Sequence, residues 1–286
     1  MRVVRSVSEM KVAAMRWRAC GQRVGLVASM GALHAGHRSL MAHARLDSDI
    51  TVVSLFVNPP QFGADTEYSS YPRSLDTDSA VCRKAGADIL FAPSVEEIYP
   101  PGFDTWVDPG ELGSRYEGAV RPGYFRAVGT IVLKLFELTQ PSFAMFGQKD
   151  AQQLALIRRM VRDLDLPVDV KAVPTVREPD GLAVSSRNHL LTPAQRQHAP
   201  ALYSSLQEAA ALYSQGERRA QALRDSILSA LADAPGLEVE YADLVEPDGF
   251  RSLKETFPGS LLIAAARLGE VRLIDNLPLE APADGP

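Results

Sequence analysis

The sequence is poor in cysteine. Cys20 and Cys82 are its two cysteines. Neither falls in a paired metal-binding spacing, which argues against a disulfide framework and against structural zinc. Long apolar runs are also missing: none approaches the roughly 20 residues of a membrane span. Met1 is followed by charged and polar residues, not by an apolar signal core. A reducing cytoplasm is therefore the expected compartment, with no membrane partner. Basic excess is absent too. The formal net charge is −5, so there is no overall footprint for nucleic acid, and attraction of a polyanion needs a local patch. There is no internal repeat and no long low-complexity tract. Only the tail "LEAPADGP", from Leu279 to Pro286, reads as disordered.

What is present is an ordinary globular mixture. The 286 residues suffice for one large domain or two modest ones. Over the first 175 residues, apolar strand-like runs at 23–28, 50–57, 88–93, 142–147 and 168–176 alternate with helical patterns at 37–46, 73–85, 125–139 and 151–164. The strand runs are rich in Val, Ile, Leu and Phe and apolar on both faces, as buried parallel strands are. In the last helical pattern Leu154, Ile157, Val161 and Leu164 form one stripe. The alternation predicts an α/β fold with a doubly wound parallel sheet, whose ligands bind at the carboxyl ends of the strands.

The rhythm changes after about residue 190. Thr192-Pro193 starts a helical stretch over 193–214, and a second follows over 217–233. Strand-like runs come next at 238–245, 260–268 and 271–279, with "LGEV" as a turn between the last two, which predicts an antiparallel pair. This reads as a second, smaller α+β C-terminal domain. The domains expected are 1–175 and 176–286.

Three loops carry chemistry suited to phosphate. In "SMGALHAGH", two glycines bracket His34 and His37 where a strand gives way to a helix. Gly36 lets backbone approach a ligand, and a helix N-terminus favours an anion. Imidazoles there donate to phosphoryl oxygens; they serve equally as helix caps, or as a metal pair, although no HExxH and no acidic cluster accompanies them. In "FGQKD", Gly147 frees a turn, Lys149 can reach a phosphate, and Asp150 suits a helix N-cap; a solvated surface lysine is the plain alternative. In "REPDGLAVSSRN", Ser185, Ser186 and Arg187 place two hydroxyls and a guanidinium in a row, which is also the composition of a polar linker. Three such loops together point to a nucleoside triphosphate. A fourth segment, "FVNPPQFGADTEYSSYPRSLDTD", brings Asn58, Gln61 and Tyr71 beside Pro59, Pro60 and Phe62, which suits a small, partly apolar acid. Gln152 and Gln153 offer further amides.

The ordered set "SMGALHAGH", "FVNPPQF", "YPRSLDTD", "FGQKDAQQ", "REPDGLAVSSRN" and "RLIDN" resembles the pantothenate synthetase (pantoate–β-alanine ligase) family, from about residue 3 to 279. The HxGH element alone is shared with the wider nucleotidylyltransferase superfamily; the set is far more specific. The resemblance implies a Rossmann-like N-terminal domain, a C-terminal lid domain and a homodimer. It implies that ATP, with Mg2+, and (R)-pantoate give pantoyl adenylate and pyrophosphate, and that β-alanine then displaces AMP. By position it assigns ATP to Met30, Gly31, Ala32, Leu33, His34, Ala35, Gly36 and His37, to Gly147, Gln148, Lys149 and Asp150, to Val176, and to Val184, Ser185, Ser186 and Arg187. His37, His34, Lys149 and Arg187 are the implied catalytic groups. Gln61 and Gln153 hold pantoate, with Gln61 also near β-alanine.

Some residues depart from the family's usual pattern. Ala28-Ser29 stand where Pro-Thr is usual, and Gln148 and Ala151 replace Glu and Tyr. The segment Asp76-Thr77-Asp78 carries no assigned magnesium ligand. Attack of a carboxylate on an α-phosphorus needs alignment and charge neutralisation more than a protein nucleophile, which matches a site of His, Lys, Arg and glycine N–H groups. Two other readings use the same residues: a different HxGH nucleotidylyltransferase, or a non-catalytic adenine-nucleotide sensor on the same fold.

Overall fold

The computed structural model describes residues 1–63 and 65–280, without the side chains of 65–67. The chain forms two compact units: Met1–Gln148 with Leu156–Pro174, and Lys149–Ala155 with Thr175–Pro286. Against the expected limits of 1–175 and 176–286, the segment Lys149–Ala155 groups with the C-terminal unit.

The first unit is built on six parallel strands: β1 (Arg2–Val4), β2 (Val24–Ser29), β3 (Ile50–Leu55), β4 (Ile89–Phe91), β5 (Phe143–Gly147) and β6 (Asp169–Val173), in the order β1-β4-β3-β2-β5-β6. Mostly apolar runs form the four inner strands, β4, β3, β2 and β5, because both sheet faces are covered there. Val27, Val53, Leu90, Phe143 and Met145 pack with Met41 and Ala44 from helix Ala35–Asp47 and with Cys82 from helix Leu75–Lys84. The chain runs from β2 to β3 and β4 on one side, whereas β5 and β6 lie on the other. The direction of winding therefore reverses between β2 and β5, where sheets of this kind bind ligands beyond the strand ends. Burial also accounts for the thiol of Cys82, which is fully enclosed and pushed up to about 11.

Besides the short helices Asp65–Ser70, Val95–Ile98 and Glu117–Val120, the sequence patterns leave out β1 and helix Val7–Ala19. That helix buries Met10 and Ala14 but leaves Val12 and Met15 exposed, so its apolar residues trace no stripe. The stripe expected in helix Ala151–Asp163 needs correction at its end. Leu154 and Ile157 are buried, but Leu164 lies past the last turn and is 50% exposed; Met160 is buried instead.

The second unit has three antiparallel strands, β7 (Leu237–Val245), β8 (Leu261–Leu268) and β9 (Val271–Pro278), with β8 central. The expected β8–β9 pairing is present. Helices Ala201–Ser214 and Ala220–Ala232 cover the sheet, packing Leu202, Leu206, Leu223 and Ile227 against Leu262, Ala264 and Ala266. Thr192 caps its helix as expected, accepting the Gln195 N–H while Gln195 Oε1 accepts the Thr192 N–H. The stretch 193–214 is two helices, however: Pro193–His198 ends before Pro200, which has no N–H to continue the ladder. The disordered-tail expectation does not hold for Leu279, which is buried and donates its N–H to Ser260 O; residues 281–286 lie outside the described residues.

Candidate active site

The loop leaving β2 is held by its own turn chemistry and by one buried carboxylate. Ser29 Oγ accepts the Gly31 N–H at 3.0 Å. Gly31 then takes φ +99° and Ala32 φ +50°, both in the left-handed region. Asp78, from helix Leu75–Lys84 and 4% exposed, accepts the Ala32 N–H at 3.1 Å and the Leu33 N–H at 2.9 Å. Asp78 thus keeps the turn in register, a role that "YPRSLDTD" does not announce because the contact spans some forty-five residues of sequence. A Cβ at Gly31 would sit 2.9 Å from Asp78 Oδ2. Gly31→Ala is accordingly expected to cost about 1–2 kcal/mol from the positive φ alone, with the crowding added to it. Urea denaturation measures this, and an unchanged midpoint contradicts it.

After the turn, the two histidines cap helix Ala35–Asp47 reciprocally. His34 Nδ1 accepts the Gly36 N–H at 3.1 Å, and His37 Nδ1 accepts the His34 N–H at 3.2 Å. Their ring centroids are 4.1 Å apart. The capping role is therefore real, and it is compatible with ligand chemistry. With Nδ1 accepting, a neutral ring carries its proton on Nε2, a donor for an oxyanion. A Cβ at Gly36 would press on the His34 ring, 3.0 Å from Cε1, so a larger residue requires that ring to shift by a few tenths of an ångström. Among the described residues no group of three or more His, Cys, Asp or Glu could hold a metal, so the metal-pair reading of these histidines finds no third ligand there.

The segment after β3 forms a buried amide network. Asn58 and Gln61 are 1% and 8% exposed. Asn58 Nδ2 donates to Gln61 Oε1 at 2.9 Å and to Ala127 O at 3.2 Å, while Tyr99 Oη donates to Asn58 Oδ1 at 2.6 Å. Burial pushes the Tyr99 hydroxyl well above the usual phenol range, so it remains a donor. Arg121 also donates, to Gln61 O at 3.0 Å. With its oxygen occupied, Gln61 offers its Nε2 donor, the group a hydroxyl or carboxylate ligand needs. Tyr99 and Arg121 are absent from the sequence reading because they lie far along the chain from Gln61. Tyr71 packs edge-on against Phe62.

The candidate residues divide between the two units. Met30–His37, Gln61, Gly147 and Gln148 belong to the first; Lys149, Asp150, Gln153, Val176 and Val184–Arg187 belong to the second. Lys149 and Asp150 sit in a short 3-10 turn, Gln148–Asp150, that runs into helix Ala151–Asp163, so Asp150 is part of a turn. Lys149 is half-buried, and no carboxylate among the described residues pairs with it. Gln152 is buried and Gln153 half-buried. Residues 176–184 form a small hairpin: the Val184 N–H donates to Val176 O at 2.9 Å and the Glu178 N–H to Leu182 O at 2.8 Å. Ser185 Oγ then accepts the Arg187 N–H at 3.2 Å, and Asn188 Nδ2 closes the turn on Ala183 O at 3.1 Å. Such a turn sets Ser185, Ser186 and Arg187 on consecutive positions of a fixed backbone, unlike a loose linker.

The family model described as pantoate-beta-alanine ligase matches residues 2–278. The chain belongs to the pantoate–β-alanine ligase family. A pantothenate synthetase from Chloroflexus aggregans is 48% identical over 96% of this chain and 99% of its own length. One from Geobacter sulfurreducens is 45% identical over 96% and 98%. Among solved structures, a pantothenate synthetase from Thermus thermophilus superposes with a TM-score of 0.92 at 45% identity, covering 98% of this chain and all (100%) of that one. A pantoate-beta-alanine ligase from Francisella tularensis, complexed with beta-gamma ATP and beta-alanine, gives a TM-score of 0.80 at 32% identity, over 99% and 100%. This ligase accordingly joins pantoate to β-alanine. No helix among its described residues is long and apolar enough to cross a membrane.

Proposed function

We propose that the reaction runs through a pantoyl adenylate, with roles divided as follows. The loop Met30–His37 takes the ATP phosphates on its backbone donors and on the Nε2 groups of His34 and His37. Lys149 and Arg187 neutralise phosphate charge, and Gly147, Gln148, Asp150, Val176, Val184, Ser185 and Ser186 complete the nucleotide contacts. Gln61, oriented by Asn58, and Gln153 hold (R)-pantoate, and Gln61 also reaches β-alanine.

The chemistry explains the choice of groups. A carboxylate is a poor electrophile because oxide is a hopeless leaving group. Its attack on the α-phosphorus expels pyrophosphate and leaves AMP as the leaving group for the second step. The amine of β-alanine then forms the amide bond and AMP departs. Both steps spread negative charge over phosphoryl oxygens, and fixed donors stabilise that charge more in the transition state than in the ground state. Magnesium enters with the ATP phosphates as part of the substrate, in keeping with its habit of binding through phosphates and water with few protein ligands. Homodimer assembly and a cytoplasmic location belong to the same reading.

The observation that carries this assignment is the family match over residues 2–278. The HxGH cap geometry and the oriented Gln61 amide support it. The test is a two-stage assay. Pyrophosphate release is expected to require pantoate, and AMP to appear once β-alanine is added. Pyrophosphate release that ignores pantoate, or AMP formation without prior adenylation, overturns the adenylate route.

A further inference from the structure

"RLIDN", residues 272–276 on β9, has no role in the assignment above, yet it makes a connected set of polar contacts within the second unit. In β9, Val271, Leu273 and Asp275 are buried at alternate positions, so a carboxylate occupies a core-facing place. Asp275 takes Arg177 in a two-pronged pair, with Nη1 to Oδ2 at 2.6 Å and Nη2 to Oδ1 at 2.9 Å. Its side chain is 2% exposed and that of Arg177 18%. The guanidinium also donates to Gly181 O at 3.0 Å and lies 3.4 Å from the Tyr203 ring centroid. Arg177 opens the hairpin that leads directly to Val184–Arg187. The next residue, Asn276, is 4% exposed. Its N–H donates to Asp275 Oδ1 at 2.8 Å, and its Nδ2 donates to Lys149 O at 2.9 Å.

We propose that Asp275 and Asn276 are positioning residues: one dipeptide of β9 fixes the main chain of Lys149 on one side and, through Arg177, the base of the Val184–Arg187 segment on the other. The proposal rests on the assignment of Lys149 and Val184–Arg187 to ATP made above. Physical economy supports it. A buried ion pair adds little stability over a well-packed apolar pair of similar size, whereas it is demanding about geometry. Here the demand is met where two phosphate-binding segments must keep a common register. Asn276 acts on Lys149 through a main-chain carbonyl, so it sets where the ammonium stem begins without touching the ammonium itself.

The experiment uses the full chain and ATP with pantoate, read as pyrophosphate release. Asn276→Ala is expected to lower kcat about tenfold or more, since ångström-scale misplacement of a charged group costs up to about a hundredfold, while the ATP dissociation constant stays within about threefold. The deciding measurement is the cycle with Lys149→Ala. If Asn276 acts through Lys149, then Asn276→Ala has little further effect on kcat once the ammonium is gone; a general structural role lowers kcat by the same factor in both backgrounds. The apolar replacement Arg177→Met with Asp275→Leu is expected to stay folded by thermal melting and to lose about tenfold in kcat, on the same positional argument. Multiplying losses in the cycle, or a wild-type kcat in Asn276→Ala, overturns the proposal. A wild-type rate in Lys149→Ala alone instead overturns the ATP assignment, so the two failures are told apart.

Discussion

Replacing His37 with alanine is expected to slow adenylation by about 10²–10⁴-fold, the range for a positioned proton donor, while ATP affinity falls less than about tenfold. The structure makes the experiment sharper than a single substitution. His37 has two roles on two nitrogens. Nδ1 accepts the His34 N–H and so closes the helix cap, and Nε2 is the proposed donor to the reacting phosphate. Loss of a cap contact costs about 1 kcal/mol of stability and could disturb the loop without any chemistry being involved. His37→Gln separates the two. Glutamine at the third helical position reaches back to the N-cap N–H in the usual capping box, but it has no ring donor at the Nε2 position. Both variants are expected to be slow, with His37→Gln close to wild type in its melting temperature. Recovery of the rate by glutamine would show that His37 serves only as a cap.

The second large effect is expected at Lys149. No carboxylate among the described residues offsets its charge, so the ammonium is available to a ligand. An ammonium about 4 Å from a phosphate oxygen is worth about 4 kcal/mol at an effective dielectric near 20. In the proposed reading, part of that is shared with the magnesium ion carried on the ATP. Lys149→Ala is therefore expected to lower pyrophosphate release by about 10²–10³-fold, each factor of ten being about 1.4 kcal/mol. Gln148, next to it, is neutral and leaves the Lys149 charge uncompensated from that side, so Gln148→Glu makes a natural companion to the alanine variant. A near-normal rate in Lys149→Ala returns the lysine to the status of a surface residue.

Much of the architecture is legible because burial writes itself into local composition. β2, β3 and β5 are covered on both faces and must be continuous apolar runs, so they are found to within a residue or two. Helix Tyr124–Thr139 is buried along most of its length and equally plain. The weaker elements lack that pressure. β1 has three residues and helix Val7–Ala19 buries two side chains, so neither leaves a periodic trace. Pro200 is a local signal that periodicity passes over. It splits a stretch that otherwise reads as a single helix, because side-chain pattern is blind to a missing N–H.

The sequence by itself determined the chemistry available to this protein. Two histidines around a glycine at a strand end, a lysine after another glycine, Ser-Ser-Arg in a turn and neutral amides beside prolines point toward a triphosphate and a small acid, because residue type sets charge and hydrogen-bonding capacity. The tertiary structure alone decided how those groups are aimed. Asp78 reaches Ala32 and Leu33, Tyr99 and Asn58 turn the Gln61 amide, and Asn276 anchors Lys149, each across a long stretch of chain. Orientation depends on contacts between residues distant in sequence, and no local pattern of side chains encodes a partner that folding alone brings near.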